Sequence, residues 1–201
     1  MRARVPVTLS LVTILLACQD HSGTLGPEET SAFQAPATAS FSTASQIAQL
    51  RRLVARFHDF DAAVQAGWSA PITPCLVAAD LPSQPGSGAM GTHWGNLAFI
   101  QDGGAVNLLE PELLLYEPEQ NGKLRFVGVE YIVPFADHPA TAPAPTLLGQ
   151  PFAQVPEFGV WGLHIWVGRE NKSGIFSAWN PKVSCENAGL ASTAGGHHHG
   201  R

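Results

Sequence analysis

The stretch that decides the fold is Glu112–Pro134, "ELLLYEPEQNGKLRFVGVEYIVP". Two apolar, β-rich runs flank a polar centre containing Asn121-Gly122, the pair that most strongly marks a tight hairpin turn. A two-residue turn there sets Glu117 opposite Phe126 and Leu113 opposite Glu130. Both faces of this hairpin read as apolar, so the sheet it belongs to needs cover on both sides. Strand side chains alternate between faces. On the second strand Val127, Val129, Tyr131 and Val133 share one face, and Phe126, Gly128 and Glu130 share the other. A carboxylate among such residues is out of place in an ordinary core.

Two other segments repeat the anomaly. In "GVWGLHIWVG", Gly159–Gly168, the core face is Trp161, Leu163, Ile165 and Val167. His164 lies on the opposite face, with Gly162, Trp166 and Gly168. In "MGTHWGN", Met90–Asn96, within a strand candidate running to Ile100, His93 shares its face with Gly91 and Gly95. Three strands thus carry G-x-H, G-x-E and G-x-H. Glycine weakens a strand and usually marks the close approach of another group.

Two imidazoles and one carboxylate from adjacent strands make the inner ligand set of many zinc and non-haem iron sites. His93, Glu130 and His164 are therefore the candidate metal ligands. Trp94 and Trp166 would wall the pocket, and the glycines would line it. Glu117 is a fourth, weaker candidate near the hairpin end. No H-x-H or H-x-x-E-H spacing is present. A satisfied polar cluster and a metal-free ligand pocket stay open beside the metal site.

Upstream of the sheet, Ile47, Leu50, Leu53, Val54, Phe57, Phe60 and Val64 recur at steps of three and four. This predicts one amphipathic helix starting near Ser42–Ser45 and stopping at Gly67. His58, Asp59 and Asp61 fall at its solvated flank. Residues 69–89, with four prolines, read as loop. Residues 136–157 read as a long Pro-rich lid or covering connection, and the stretch from Glu170 to Cys185 as a returning loop. The fold class is α+β: an N-terminal amphipathic helix packed on a curved, mainly antiparallel sheet or small barrel.

The N-terminus "MRARVPVTLSLVTILLACQD" has a basic start, an apolar run too short to span a membrane, and then Cys18. Leu15-Leu16-Ala17-Cys18 resembles a bacterial lipobox, which implies lipidation at Cys18 and a lipid-anchored, exported protein of the cell envelope. An ordinary cleavable signal with an incidental cysteine is the other reading. Residues 1–18 are then signal peptide, 19–42 a flexible tether, 43–186 one globular domain and 187–201 a disordered tail. That tail carries His197, His198 and His199, which bind transition metals loosely in any context. With Cys18 set aside, Cys75 and Cys185 are expected to pair as a disulfide in an oxidising compartment. Thiol metal ligands are the alternative, and no C-x-x-C spacing supports it.

Of 201 residues, 45% are hydrophobic and 13% charged, with a formal net charge of −5 and no basic cluster beyond the N-terminus. Such a chain has no cationic face for nucleic acid. Nucleophile elbow, P-loop and dinucleotide fingerprint are all missing. The functional expectation is an envelope lipoprotein binding a divalent transition metal (zinc or iron) or a small ligand between strands. A non-catalytic structural or interaction module is the alternative, and a hydrolase or oxygenase using the same metal is a third.

The strings "MGTHWGN", "PELLLYEP", "NGKLR", "VGVEY" and "WNPKVSC" together resemble a widespread group of uncharacterised exported bacterial proteins. The resemblance spans residues 50–185 and implies the domain limits without implying an activity. Where that pattern has a glycine before Met90, this chain has Ala89.

Overall fold

The computed structural model describes residues 42–189. The signal segment with Cys18, the tether up to residue 41 and the tail from residue 190 lie outside the described residues. The architecture is α+β, with one six-stranded antiparallel sheet and a few short helices. None of those helices is long and apolar enough to cross a membrane.

Helix α1, Thr43–Val54, starts at Ser42, whose Oγ accepts from the Ser45 N–H. The apolar stripe does not run on as one helix. A 3-10 turn at Ala55–His58 leads to Asp59, an extended residue whose carboxylate accepts from the Asp61 N–H and starts α2, Phe60–Gln65. An aspartate that can bond its own local backbone favours a helix start over a helix interior. The stripe still lands on one side: Leu50, Val54, Phe57 and Ala63 are buried together against the sheet.

The sheet is formed by β1 (Trp68–Val77), β2 (Ala89–Asn96), β3 (Leu113–Pro118), β4 (Leu124–Pro134), β7 (Ala153–Val155) and β8 (Val160–Ile165). A separate two-stranded ribbon pairs β5 (Thr146–Leu147) with β6 (Gln150–Pro151). The order in the main sheet is β1-β2-β3-β4-β8-β7. Strand β1 corrects the loop reading of residues 69–89. Pro71 and Pro74 lack the N–H of a central strand, but β1 is the outer strand, where proline is tolerated. Its pairing with β2 is broken by several register shifts. Within the covering connection, β7 forms the other edge. Strand β2 ends at Asn96, whose side chain accepts from the Ala98 N–H and starts the single-turn helix α3, Leu97–Ile100. The strand reading through Ile100 was thus four residues too long.

The central hairpin differs from its two-residue reading in two compensating ways. The Glu119 N–H donates to Lys123 O, and the Gly122 N–H donates to Glu119 O. With Gly122 at φ +75°, Gln120–Gly122 make a three-residue loop closed by a left-handed glycine. This shifts the register by one, so Glu117 faces Arg125 and Tyr116 faces Phe126. A bulge between Leu115 and Tyr116, with Val127 as the extra residue, restores it, and Leu113 again faces Glu130. Phe126 consequently packs with Tyr116 and Tyr131 on the helical side, while Val127 joins Leu115 and Trp166 on the other.

The helix-side core holds Leu114, Tyr116, Val129, Tyr131, Trp161, Leu163 and Ile165. Turns from both flanks of the chain cover the second face. Trp179, Asn180 and Val183 are buried there, and Asn180 pairs with Ala89 of β2. Cys75 and Cys185 form a disulfide that ties β1 to this C-terminal cover.

Candidate metal centre

His93, Glu130 and His164 all lie on the second face, and all three are buried. Glu130 sits directly opposite His164 across the β4–β8 ladder. His93 comes from further away, because β3 lies between β2 and β4. The strands carrying the triad are therefore not all adjacent. The His93 and Glu130 side chains are long enough to meet across β3.

The His93 Nε2 is 3.2 Å from Glu130 Oε2, and the His164 Nε2 is 3.7 Å from the same oxygen. One donor atom from each residue lies within 4.8 Å of the others, so the group could hold a metal ion. Ligand bonds of about 2.0–2.2 Å in a tetrahedral arrangement put donors about 3.4 Å apart. Two of the three spacings are near that value, and the third is no more than 4.8 Å.

His93 is held at both ring nitrogens. Its Nδ1 is 2.6 Å from Thr73 Oγ1 on β1. The Thr73 hydroxyl has one hydrogen, and its oxygen also lies 3.0 Å from Pro74 O. With that hydrogen on Pro74 O the hydroxyl accepts from the His93 Nδ1–H, and with it turned to the ring the hydroxyl donates to Nδ1. The first arrangement leaves Nε2 bare, the form a metal binds, and the second puts the ring proton on Nε2, toward Glu130. At 3.2 Å, the His93 Nε2 and Glu130 Oε2 can share a proton or flank a cation. The His164 Nε2 is buried with no hydrogen-bond partner. Buried polar atoms are rarely left so, and each exception calls for a cause.

The charge states also suit a cation. Burial, with His93 beside it, holds the His164 imidazole below the usual histidine range against the opposing pull of Glu130. Burial also opposes ionisation of Glu130, but His164 and His93 outweigh it and keep the carboxyl below the usual carboxylate range. The set is two nitrogen donors and one anion.

Of the surrounding residues, Trp166 walls the site. Its ring stacks on His164 at 6.0 Å between centroids, and its Nε1 donates to Ser177 O. Trp94 does not; it points to the helical side, against Phe60. The glycines divide likewise. A Cβ on Gly162 would meet Glu130 Oε1 at 2.8 Å, so this glycine makes room for the carboxylate. Gly91, at φ +91°, would strike the Tyr116 carbonyl, Gly95 the Ile72 side chain, Gly128 the Ile165 carbonyl and Gly168 the Phe126 ring. Those four serve close packing and do not line the site.

Glu117 is not part of the group. Arg169 Nη1 donates to its Oε2 at 2.6 Å, and the Ser184 N–H donates to its Oε1. It anchors the C-terminal cover. Sequence reasoning missed Thr73, hidden in a segment read as loop, and Glu112. The latter is buried and accepts from the Ile132 N–H. Burial pushes its carboxyl up to about 8.

Two cavities meet at the group. One, about 220 Å³, is lined by His93, Glu130, Thr73 and apolar side chains. The other, about 110 Å³, holds His164 and shares Glu130, Met90 and Val155 with the first. No protein-family model matches the chain, and no curated protein or solved structure matches it.

Proposed function

We propose that this chain is an exported, lipid-anchored protein that binds one divalent transition metal through His93 Nε2, Glu130 and His164 Nε2. The observation that carries the metal reading is the buried, unpartnered His164 Nε2 beside a Glu130 oxygen that also faces His93. Mixed nitrogen and carboxylate donors suit zinc or ferrous iron, and three protein ligands leave a position for water or a ligand. Export rests on the basic, apolar N-terminal run ending at Cys18. A bridged cysteine pair is the usual state outside the reducing cytosol. Similarity to the exported bacterial group belongs to the same proposal.

The direct test is elemental analysis of the full chain with His197, His198 and His199 changed to alanine, which removes adventitious binding by the tail. One zinc or iron per chain is expected, falling to background in His164→Ala. Metal-free protein after equilibration with both ions would sink the reading. The anchor is tested separately: labelled fatty acid should enter the protein and be lost in Cys18→Ser. Incorporation unaffected by that change would reject it.

A second reading has one observation in its favour. His93 contacts both Thr73 and Glu130, so a proton could take the place of the metal in a closed His–Glu pair. The module would then be structural, and His93→Ala would cost roughly 1–3 kcal/mol of stability with no metal to lose.

A further inference from the structure

The larger cavity has a polar floor and an apolar mouth. His93 and Glu130 form the floor, and Leu81, Met90 and Leu113 are among the buried walls. At the opening stand Ile72 and Phe158, which are 41% and 48% exposed. Only two other large hydrophobic side chains, Leu97 and Leu109, are exposed among the described residues, and neither lines this cavity. Two exposed apolar side chains flanking one opening mark a place where an apolar group is received. The lining has no lysine or arginine, and Glu130 is its only acid.

We propose that this cavity receives a small monocarboxylate with an apolar tail, its carboxylate on the metal and its tail toward Ile72 and Phe158. The proposal rests on the metal reading. A divalent ion held by one carboxylate and two neutral imidazoles carries one surplus positive charge. In a buried setting that surplus favours a single anionic oxygen ligand, which neutralises the centre. Apart from His93 and Glu130 the lining's one polar side chain is Thr73, already bonded to His93, and no charged side chain is there to pair with a second charge, so dianions and zwitterions are disfavoured. At about 220 Å³ the space is below the range of drug-sized pockets, which fixes the ligand as a short chain or a single ring.

The test uses the full chain with the three tail histidines changed to alanine, loaded with Zn²⁺, and hexanoate, acetate and hexylamine as calorimetric probes. Hexanoate should bind at least about tenfold more tightly than acetate, because its methylene groups leave water. Hexylamine should not bind, and removing the zinc should abolish hexanoate binding. Phe158→Asp places a charge at the mouth and should weaken hexanoate at least about fivefold with zinc content unchanged. Ile72→Asp, on β1, reads the same effect from the other side if the first variant fails to fold.

Equal affinity for hexanoate and acetate overturns the proposal, as does hexanoate binding to zinc-free protein or insensitivity to both mouth variants. Protein that holds stoichiometric zinc yet ignores hexanoate rejects this inference alone. Protein that holds no zinc rejects the metal reading with it.

Discussion

At the scale of single residues, Glu112 shows how burial sets a charge state. It sits just before β3, where the chain departs from the ladder, and its carboxylate accepts the Ile132 N–H. Burial raises its carboxyl from 4.5 to about 8, and the neighbouring charges of Asp102 and Glu130 add to the rise. The folded state therefore holds a proton that the unfolded chain has released between those values. Stability contributed by this proton is complete below about pH 4.5 and is lost as pH rises toward 8. In Glu112→Gln the amide oxygen still accepts from Ile132, and the charge is gone. The expected result is a variant of wild-type stability at pH 4.5 and roughly 2–4 kcal/mol more stable at pH 8. Urea midpoints across that range measure it, and parallel pH profiles for the two proteins would refute it. The sequence displays Glu112 plainly but hides its burial, because the residue lies at a strand boundary where alternation has no defined phase. Glu130 and His164 were legible for the opposite reason, each inside a long alternating run with apolar neighbours on the other face, and His93 through the glycines two residues to either side.

At the scale of elements, the hairpin explains why a flawed reading still put Glu130 in the right place. Asn121-Gly122 fits a two-residue turn, but the chain closes a three-residue loop that moves the register by one. A one-residue slip exchanges the two faces of a strand. The bulge at Val127 undoes the exchange before Gly128, so the outer part of β4 is inverted relative to the sequence reading and the inner part is not. Bulges have no sequence mark as strong as a turn, and this one stayed invisible. Strand β1 was missed because its prolines are those of a loop. Only its position at the sheet edge makes them acceptable. The glycine pattern was informative at one position of five. Gly162→Ala should push the Glu130 carboxylate from its place, since the added methyl meets Oε1 at 2.8 Å. The expected outcome is metal affinity lowered at least about tenfold, measured by chelator competition, with an unchanged circular-dichroism spectrum. Wild-type affinity in that variant would show that the carboxylate's position does not matter.

At the scale of the whole molecule, the Cys75–Cys185 bridge joins the outer strand to the end of the domain, with a sequence separation of 110 residues. Closing so long a loop in the unfolded chain is worth about 4–5 kcal/mol in the chain-entropy account. The double variant Cys75→Ser, Cys185→Ser should lose stability of that order in denaturant titrations, and a loss under about 1 kcal/mol would dismiss the account. The bridge also bears on birth order. A chain made from its N-terminus brings out Cys75 long before its partner, so β1 waits unlatched while everything between is synthesised. The latch can close only when the final turns have arrived and settled over the second face. A molecule cut short, or one whose C-terminal cover never docks, therefore leaves Cys75 without Cys185 on its outermost strand. The bridge thereby makes the state of Cys75 a chemical record of whether the last turns of the domain have docked.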